Sequence, residues 1–109
     1  MRFLALCCLC AFLYVPSTSA ADVPTSYTKE CAPCHGADGR GKANSTFKGS
    51  IADLRSKKVQ DLSDDDLYET IARGAKHRDY PHAYLYRGLK EKDIRELVKY
   101  IRSMTPASK

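Results

Sequence analysis

Residues 31–35 read Cys-Ala-Pro-Cys-His. Two thiols three positions apart, with an imidazole directly after the second, suit one chemistry above others. Each thiol can add to a vinyl group of a porphyrin and leave a thioether. The next residue then falls beneath the iron, where its ring nitrogen can bind. Cys31 and Cys34 are therefore the expected points of covalent attachment of one haem c, and His35 the expected proximal iron ligand. Other uses of a Cys-x-x-Cys pair fit less well. A structural zinc ion needs four ligands in a compact array, and no second cysteine pair follows. A thioredoxin-like redox pair needs a βαβ setting, and the pattern downstream is helical.

Haem attached in this way belongs outside the cytoplasm, and the start of the chain agrees. Met1-Arg2 is a short positive start, Phe3 to Val15 is an unbroken apolar run, and Pro16 to Ala21 is made of small residues. This is the layout of a secretory signal peptide, with cleavage expected after Ala20 or Ala21. The apolar run is too short for a membrane span, which needs about 20 residues. Residues 1–21 are thus read as a signal peptide and 22–109 as one domain, destined for the periplasm or the extracellular space and without a stable membrane span once the signal is removed. Cys7, Cys8 and Cys10 fall inside the apolar run, and Cys7 follows Leu6 near its start, which does not fit lipid attachment. Removal of the segment leaves Cys31 and Cys34 as the two remaining cysteines.

The chain carries 18 Lys+Arg against 13 Asp+Glu, interleaved along its length. That mild balance does not argue for nucleic acid. Leu, Ile, Val and Phe make up about 16% of residues 22–109, below the roughly 20% at which a charged chain is expected to stay disordered. A buried porphyrin resolves the conflict, because it is itself a large apolar body. The expectation is a domain nucleated by its cofactor and poorly folded without it.

Four segments must position the motif. Thr25 to Cys34 is expected to be a short helix, with Tyr27 and Cys31 on one face. Gly36 to about Leu62 is broken by Gly36, Gly39, Gly41 and Gly49, and reads as an ordered loop around the cofactor. A helix then starts at Ser63, a natural N-cap with Asp66 at the capping-box position. Asp64, Asp65 and Asp66 suit its positive end, Leu67 and Ile71 face inward, and Gly74 stops it. In the last helix, Glu91 to Met104, the residues Ile94, Leu97, Val98 and Ile101 recur at helical spacing, and Pro106 stops it. The fold class is all-α: three to four short helices around one covalently bound haem.

These residues resemble the class I cytochrome c family, in particular its small bacterial monohaem members, over most of residues 22–109. Tyr27-x-x-x-Cys31-Ala-Pro-Cys34-His35-Gly36 is similar to the family's haem-binding helix, and Asp38-Gly39-x-Gly41 to the loop after it. Ala52-Asp53-Leu54 is similar to its A-D-L turn. Leu62 to Leu67 with Ile71 and Gly74 resemble its third helix, and Leu89 to Ile94 with Tyr100 and Ile101 its last. The resemblance implies that the first and last helices cross, with Tyr27 and Tyr100 as candidates for the crossing and ordinary core packing as their role. The chain departs from the family twice. The family's proline after the glycine-rich loop, whose carbonyl accepts the Nδ1–H of the proximal histidine, is missing from Lys48-Gly49-Ser50-Ile51, so another carbonyl there must serve. The family's axial methionine is also missing. Met1 belongs to the signal, and Met104 ends the last helix as core filler.

The replacement must come from Lys76 to Leu89. His82 is favoured as the distal ligand. It lies seven residues before Leu89, close to the place of the family's methionine, and Pro81 fixes the backbone beside it. His77, flanked by Lys76 and Arg78, is the second choice. Tyr80, which precedes the proline, and Lys76 follow. A second imidazole favours ferric iron where a thioether favours ferrous, so the potential is expected below that of His/Met relatives.

The function that follows is one-electron transfer rather than catalysis. The expected partners are redox proteins: an oxidase, a reductase, an outer-membrane conduit or a multihaem cytochrome. Arg40, Lys42, Lys76, Arg78 and Arg87 are candidates to steer acidic partners, although each has a solvated surface as its simpler role. Two readings from other classes stay open. A haem-based ligand binder or sensor needs an open or weakly held sixth site. A haem subunit of a redox enzyme, or a small peroxidase, also needs a distal acid/base pair, for which His77 and Asp79 are the available residues.

Overall fold

The computed structural model describes residues 22–41, 50–74 and 82–104, and every regular element among these is helical. The expected signal peptide, the candidates His77, Tyr80 and Lys76, and Pro106 lie outside the described residues. Among the described residues no helix is long and apolar enough to cross a membrane.

Residues 25–35 are helical, as the sequence predicts, but they do not form one continuous α-helix. Tyr27–Cys31 is a π turn, and Ala32–His35 forms the one-turn helix α1. Pro33 gives the physical reason. It has no N–H to offer the Lys29 carbonyl four residues back, so the α-type ladder is broken here, and the Ala32 N–H bonds five residues back to the Tyr27 carbonyl. Gly36 ends α1 with φ of 79° and turns the chain, and the Gly41 N–H closes the loop on the His35 carbonyl at 2.6 Å.

The stretch expected as a continuous loop contains a further helical turn, α2, at Lys57–Gln60. The Ser56 hydroxyl caps it by accepting from the Val59 N–H. Helix α3, Asp64–Arg73, starts as predicted: the Ser63 hydroxyl accepts from the Asp66 N–H at 3.0 Å, and three aspartates occupy its first turn. Gly74, with φ of 70°, ends it in the left-handed conformation. A 3-10 turn at Tyr84–Arg87, which the sequence did not predict, leads into α4, Glu91–Ser103, one residue shorter than expected because Met104 is already extended.

The core forms where α4 meets α3 and the π turn. Ile94, Leu97, Val98 and Ile101 of α4 are buried with Leu67, Tyr68, Ile71 and Ala72 of α3. Tyr27 and Tyr100 meet edge to face, with centroids 4.8 Å apart and planes at 66°, a favoured aromatic geometry. This is the contact between first and last helices that the resemblance implied. Tyr27, Tyr68 and Tyr84 all lie in the core. They supply bulk that the low share of Leu, Ile, Val and Phe does not. Polar side chains lock the corner between α2, α3 and α4. The Gln60 amide donates to the carbonyls of Leu54 and Ile101 at 2.8 and 3.0 Å. Arg102 donates to Asp64 at 2.8 Å, to the Gln60 carbonyl at 2.7 Å and to the Leu62 carbonyl.

Candidate functional site

Cys31 ends the π turn, Cys34 sits in α1, and both are half-buried. Cys31 packs against the core cluster. Burial pushes its thiol up to about 12, with smaller contributions from Glu30 and Cys34. A thiol held neutral in this way is a poor thiolate for redox exchange or zinc binding. Among the described residues no cluster of three or more His, Cys, Asp or Glu side chains is placed to hold a bare metal ion.

His35 closes α1. Its Nδ1 lies 3.0 Å from the Ala52 carbonyl oxygen. A carbonyl can only accept, so this contact puts the ring proton on Nδ1 and leaves the Nε2 lone pair for a metal. Ala52 therefore does the work expected of the absent proline, one residue beyond the Lys48–Ile51 stretch that the sequence points to. A backbone oxygen has no side-chain signature, so the sequence held no signal for it. The turn that carries it is held in place: the Leu54 N–H bonds to the Gly39 carbonyl at 2.8 Å, and the Arg55 N–H to the Asp53 carboxylate at 2.9 Å. The α1 end is braced by Tyr27, whose buried hydroxyl donates to the Gly36 carbonyl at 2.7 Å.

His82 stands across from His35. Their ring centroids are 6.4 Å apart and their planes differ by 16°. The sequence places these two residues 47 positions apart and gives no distance; the fold brings their rings close to each other and near-parallel. Two imidazoles bound on opposite sides of one metal ion should have centroids about 6.3 Å apart, from a metal–nitrogen bond of about 2.0 Å and about 1.15 Å more to each ring centre. The observed pair fits that separation. Burial is the main force holding both rings below the ordinary histidine range. For His35 the Ala52 carbonyl opposes it in part, and for His82 the charges of His35 and Arg87 add to it. Both rings are thus neutral at pH 7, the state in which imidazole binds a metal.

His82 leads directly into Ala83, which has φ of 68° and is the one non-glycine residue with positive φ among those described. Tyr84 follows. It is buried, and its hydroxyl donates to the Glu30 carbonyl at 3.0 Å. Met104 packs against Gly39 of the glycine-rich loop and against the core cluster, in keeping with a core role.

The arrangement offers two thiols at thioether spacing, one imidazole locked by a backbone carbonyl, and a second imidazole opposite. These residues fit a haem. No curated protein sequence matches the chain. A solved structure, the KustC0563 c-type cytochrome, aligns with a TM-score of 0.62 at 21% identity, covering 79% of this chain and 100% of that one, a likeness of fold. The family model described as Cytochrome c matches residues 20–105. With that match spanning most of its length, the chain belongs to the cytochrome c family, and its prosthetic group is a covalently bound haem c.

Proposed function

We propose that this protein is an exported one-electron carrier in which Cys31 and Cys34 hold the haem and His35 and His82 are the two axial ligands. The observation that carries this reading is the pair of near-parallel imidazoles with centroids 6.4 Å apart. The bound haem supplies reversible one-electron exchange between Fe(II) and Fe(III). The chain supplies everything else. The Ala52 carbonyl orients His35 and makes it a stronger donor. Burial keeps both rings unprotonated. Occupation of both axial positions by side chains keeps substrates from the metal, so the protein is read as a carrier and not an enzyme.

Two imidazoles favour the ferric state, and the potential is expected below that of His/Met relatives. The reading of residues 1–21 as a signal peptide supports the periplasm, or the space beyond the cell, as its location. Redox proteins are its partners in this reading. Arg40 and Arg87, both exposed, are available for steering acidic ones.

The test is the low-temperature spin-resonance spectrum of the ferric holoprotein, repeated on His82→Ala and His77→Ala. Near-parallel imidazole planes donate into the same iron d orbital and split a pair that perpendicular planes would leave close in energy. Wild type and His77→Ala should therefore give a rhombic low-spin signal, and His82→Ala a high-spin one. A wild-type spectrum in His82→Ala removes His82 from the iron. Rapid carbon monoxide uptake by the reduced wild-type protein would favour a ligand binder with an open site.

A further inference from the structure

We infer that Tyr84 is a positioning residue for the distal imidazole: its hydroxyl ties the strap that carries His82 to the helix that carries the haem-attachment cysteines, and so sets how readily an outside ligand reaches the iron. This rests on the reading of His82 as the sixth ligand.

The strap runs from His82 to Lys90. It begins with a conformational cost. Ala83 is in the left-handed region, φ 68° and ψ 43°, where its Cβ crowds the following carbonyl. A residue keeps such a conformation only when its surroundings over-determine it. Ala83 is buried, and the turn after it is closed by two backbone bonds, Tyr86 N–H to the Ala83 carbonyl at 3.1 Å and Leu89 N–H to the Tyr84 carbonyl at 3.0 Å. Those bonds shape the strap, and Leu85 and Leu89 pack it against the core. Tyr84 adds the hydrogen bond that ties it to the helix of the attachment site. Its ring is buried in the core cluster, the Arg87 guanidinium lies 4.6 Å over it, and its hydroxyl bonds to the Glu30 carbonyl, 54 residues upstream. Glu30 precedes Cys31, and Tyr84 is two residues beyond His82. One hydrogen bond therefore joins the distal ligand's neighbour to the proximal attachment site. Without it, Ala83 is free to relax towards an ordinary conformation, and the relaxation carries His82 away from the iron.

Carbon monoxide can occupy the sixth position only while His82 is off it. At saturating gas, the uptake rate of the reduced holoprotein therefore reports how often the imidazole leaves. Tyr84→Phe keeps the buried ring and its stacking on Arg87, and removes the hydroxyl's bonds to the Glu30 carbonyl and to the Arg87 side chain; Arg87 belongs to the strap itself, so the tie lost across the fold is the one to Glu30. Uptake should quicken about five- to tenfold, the change expected from one neutral hydrogen bond, while the ferric protein stays low-spin. Gln60→Leu is the control. It removes two side-chain bonds to carbonyls at the α2–α4 corner. It should lower the melting temperature and leave uptake at the wild-type rate.

Uptake by Tyr84→Phe at the wild-type rate, or an equal quickening in Gln60→Leu, would reduce Tyr84 to a merely structural role and overturn the inference. His82→Ala separates the two levels. Slow wild-type uptake with fast uptake in His82→Ala upholds the ligand assignment whatever Tyr84→Phe does. Equal rates in wild type and His82→Ala end the assignment, and the inference with it.

Discussion

Gly39→Ala tests the chain of contacts that aims the proximal histidine. Gly39 has φ of 79°, and a Cβ built on it would lie 2.6 Å from Met104 Sδ, 3.3 Å from Met104 Cε and 3.4 Å from Leu54 Cβ. Two costs follow. The left-handed backbone costs a residue with a Cβ about 1–2 kcal/mol. The clash adds about 1 kcal/mol, towards the low end for overpacking, because the end of a methionine side chain can swing aside. The sum is roughly 2–3 kcal/mol, and at roughly 4–8 °C per kcal/mol for a domain of this size the melting temperature should fall by roughly 10–20 °C. The effect should also reach the iron. The Gly39 carbonyl accepts from Leu54, and Leu54 is two residues from the Ala52 carbonyl that holds His35. A displaced Leu54 moves that acceptor and weakens the donor strength of His35, so the potential should rise. The assay is thermal melting of the ferric holoprotein with a redox titration, on Gly39→Ala, Met104→Ala and the double variant. Met104→Ala in the same chain should recover the clash and leave the backbone cost. A loss below about 0.5 kcal/mol in Gly39→Ala, or a double variant that shows no recovery, would mean that the Gly39–Met104 contact does not limit this position.

Three further outcomes are expected. His82→Met replaces an imidazole by a thioether and should raise the midpoint potential by at least one step of about 59 mV, the value of a tenfold change for one electron; an unchanged or lower potential contradicts the distal assignment. Stability should fall below about pH 6.5. His35 and His82 both titrate below the ordinary range when folded, so on acidification the unfolded chain takes up protons first, and stability present above about pH 6.5 is lost as pH drops; melting temperatures that rise from pH 7 to 5 would contradict this. Arg102→Met keeps the aliphatic stem but loses the bonds to Asp64, the Gln60 carbonyl and the Leu62 carbonyl. It should cost about 1–2 kcal/mol, with little dependence on salt because two of the three acceptors are neutral; a loss that vanishes at high salt would assign the effect to the exposed ion pair alone.

The parts of this protein that the sequence displays are those written in side chains at fixed spacing. Cys31, Cys34 and His35 declare the attachment site. Ser63, the three aspartates and Gly74 mark both ends of α3, and the stripe from Ile94 to Ile101 marks α4. The parts it hides are written in the backbone. The π turn follows from an N–H that Pro33 lacks, and α2 is a single turn, too short to show a period. The Ala52 carbonyl that holds His35 could belong to any residue type. Ala83 carries none of the usual markers of a left-handed position, which are Gly and Asn. Tyr84 gave no sign from its neighbours that its hydroxyl reaches Glu30.

The two imidazoles are held by different means, and this asymmetry governs how the site behaves. His35 follows Cys34 directly in α1, its ring is fixed by Ala52, and the turn that carries Ala52 is pinned by Leu54 on Gly39. Everything that holds it is local to the attachment motif or bonded back to it. His82 depends on contacts made over long sequence separations, with a strained alanine beside it and the Tyr84–Glu30 bond spanning 54 residues. A local opening on the distal side separates His82 from the attachment site, while a ligand next to a covalent anchor stays at high local concentration. Under the proposed ligation, the distal side is thus where this protein can change its coordination without losing its cofactor. In the proposed ligation it is also the side on which the chain departs from its family, an imidazole standing where a thioether is usual, so the residues proposed to tune the potential and to set its lability lie on one short strap.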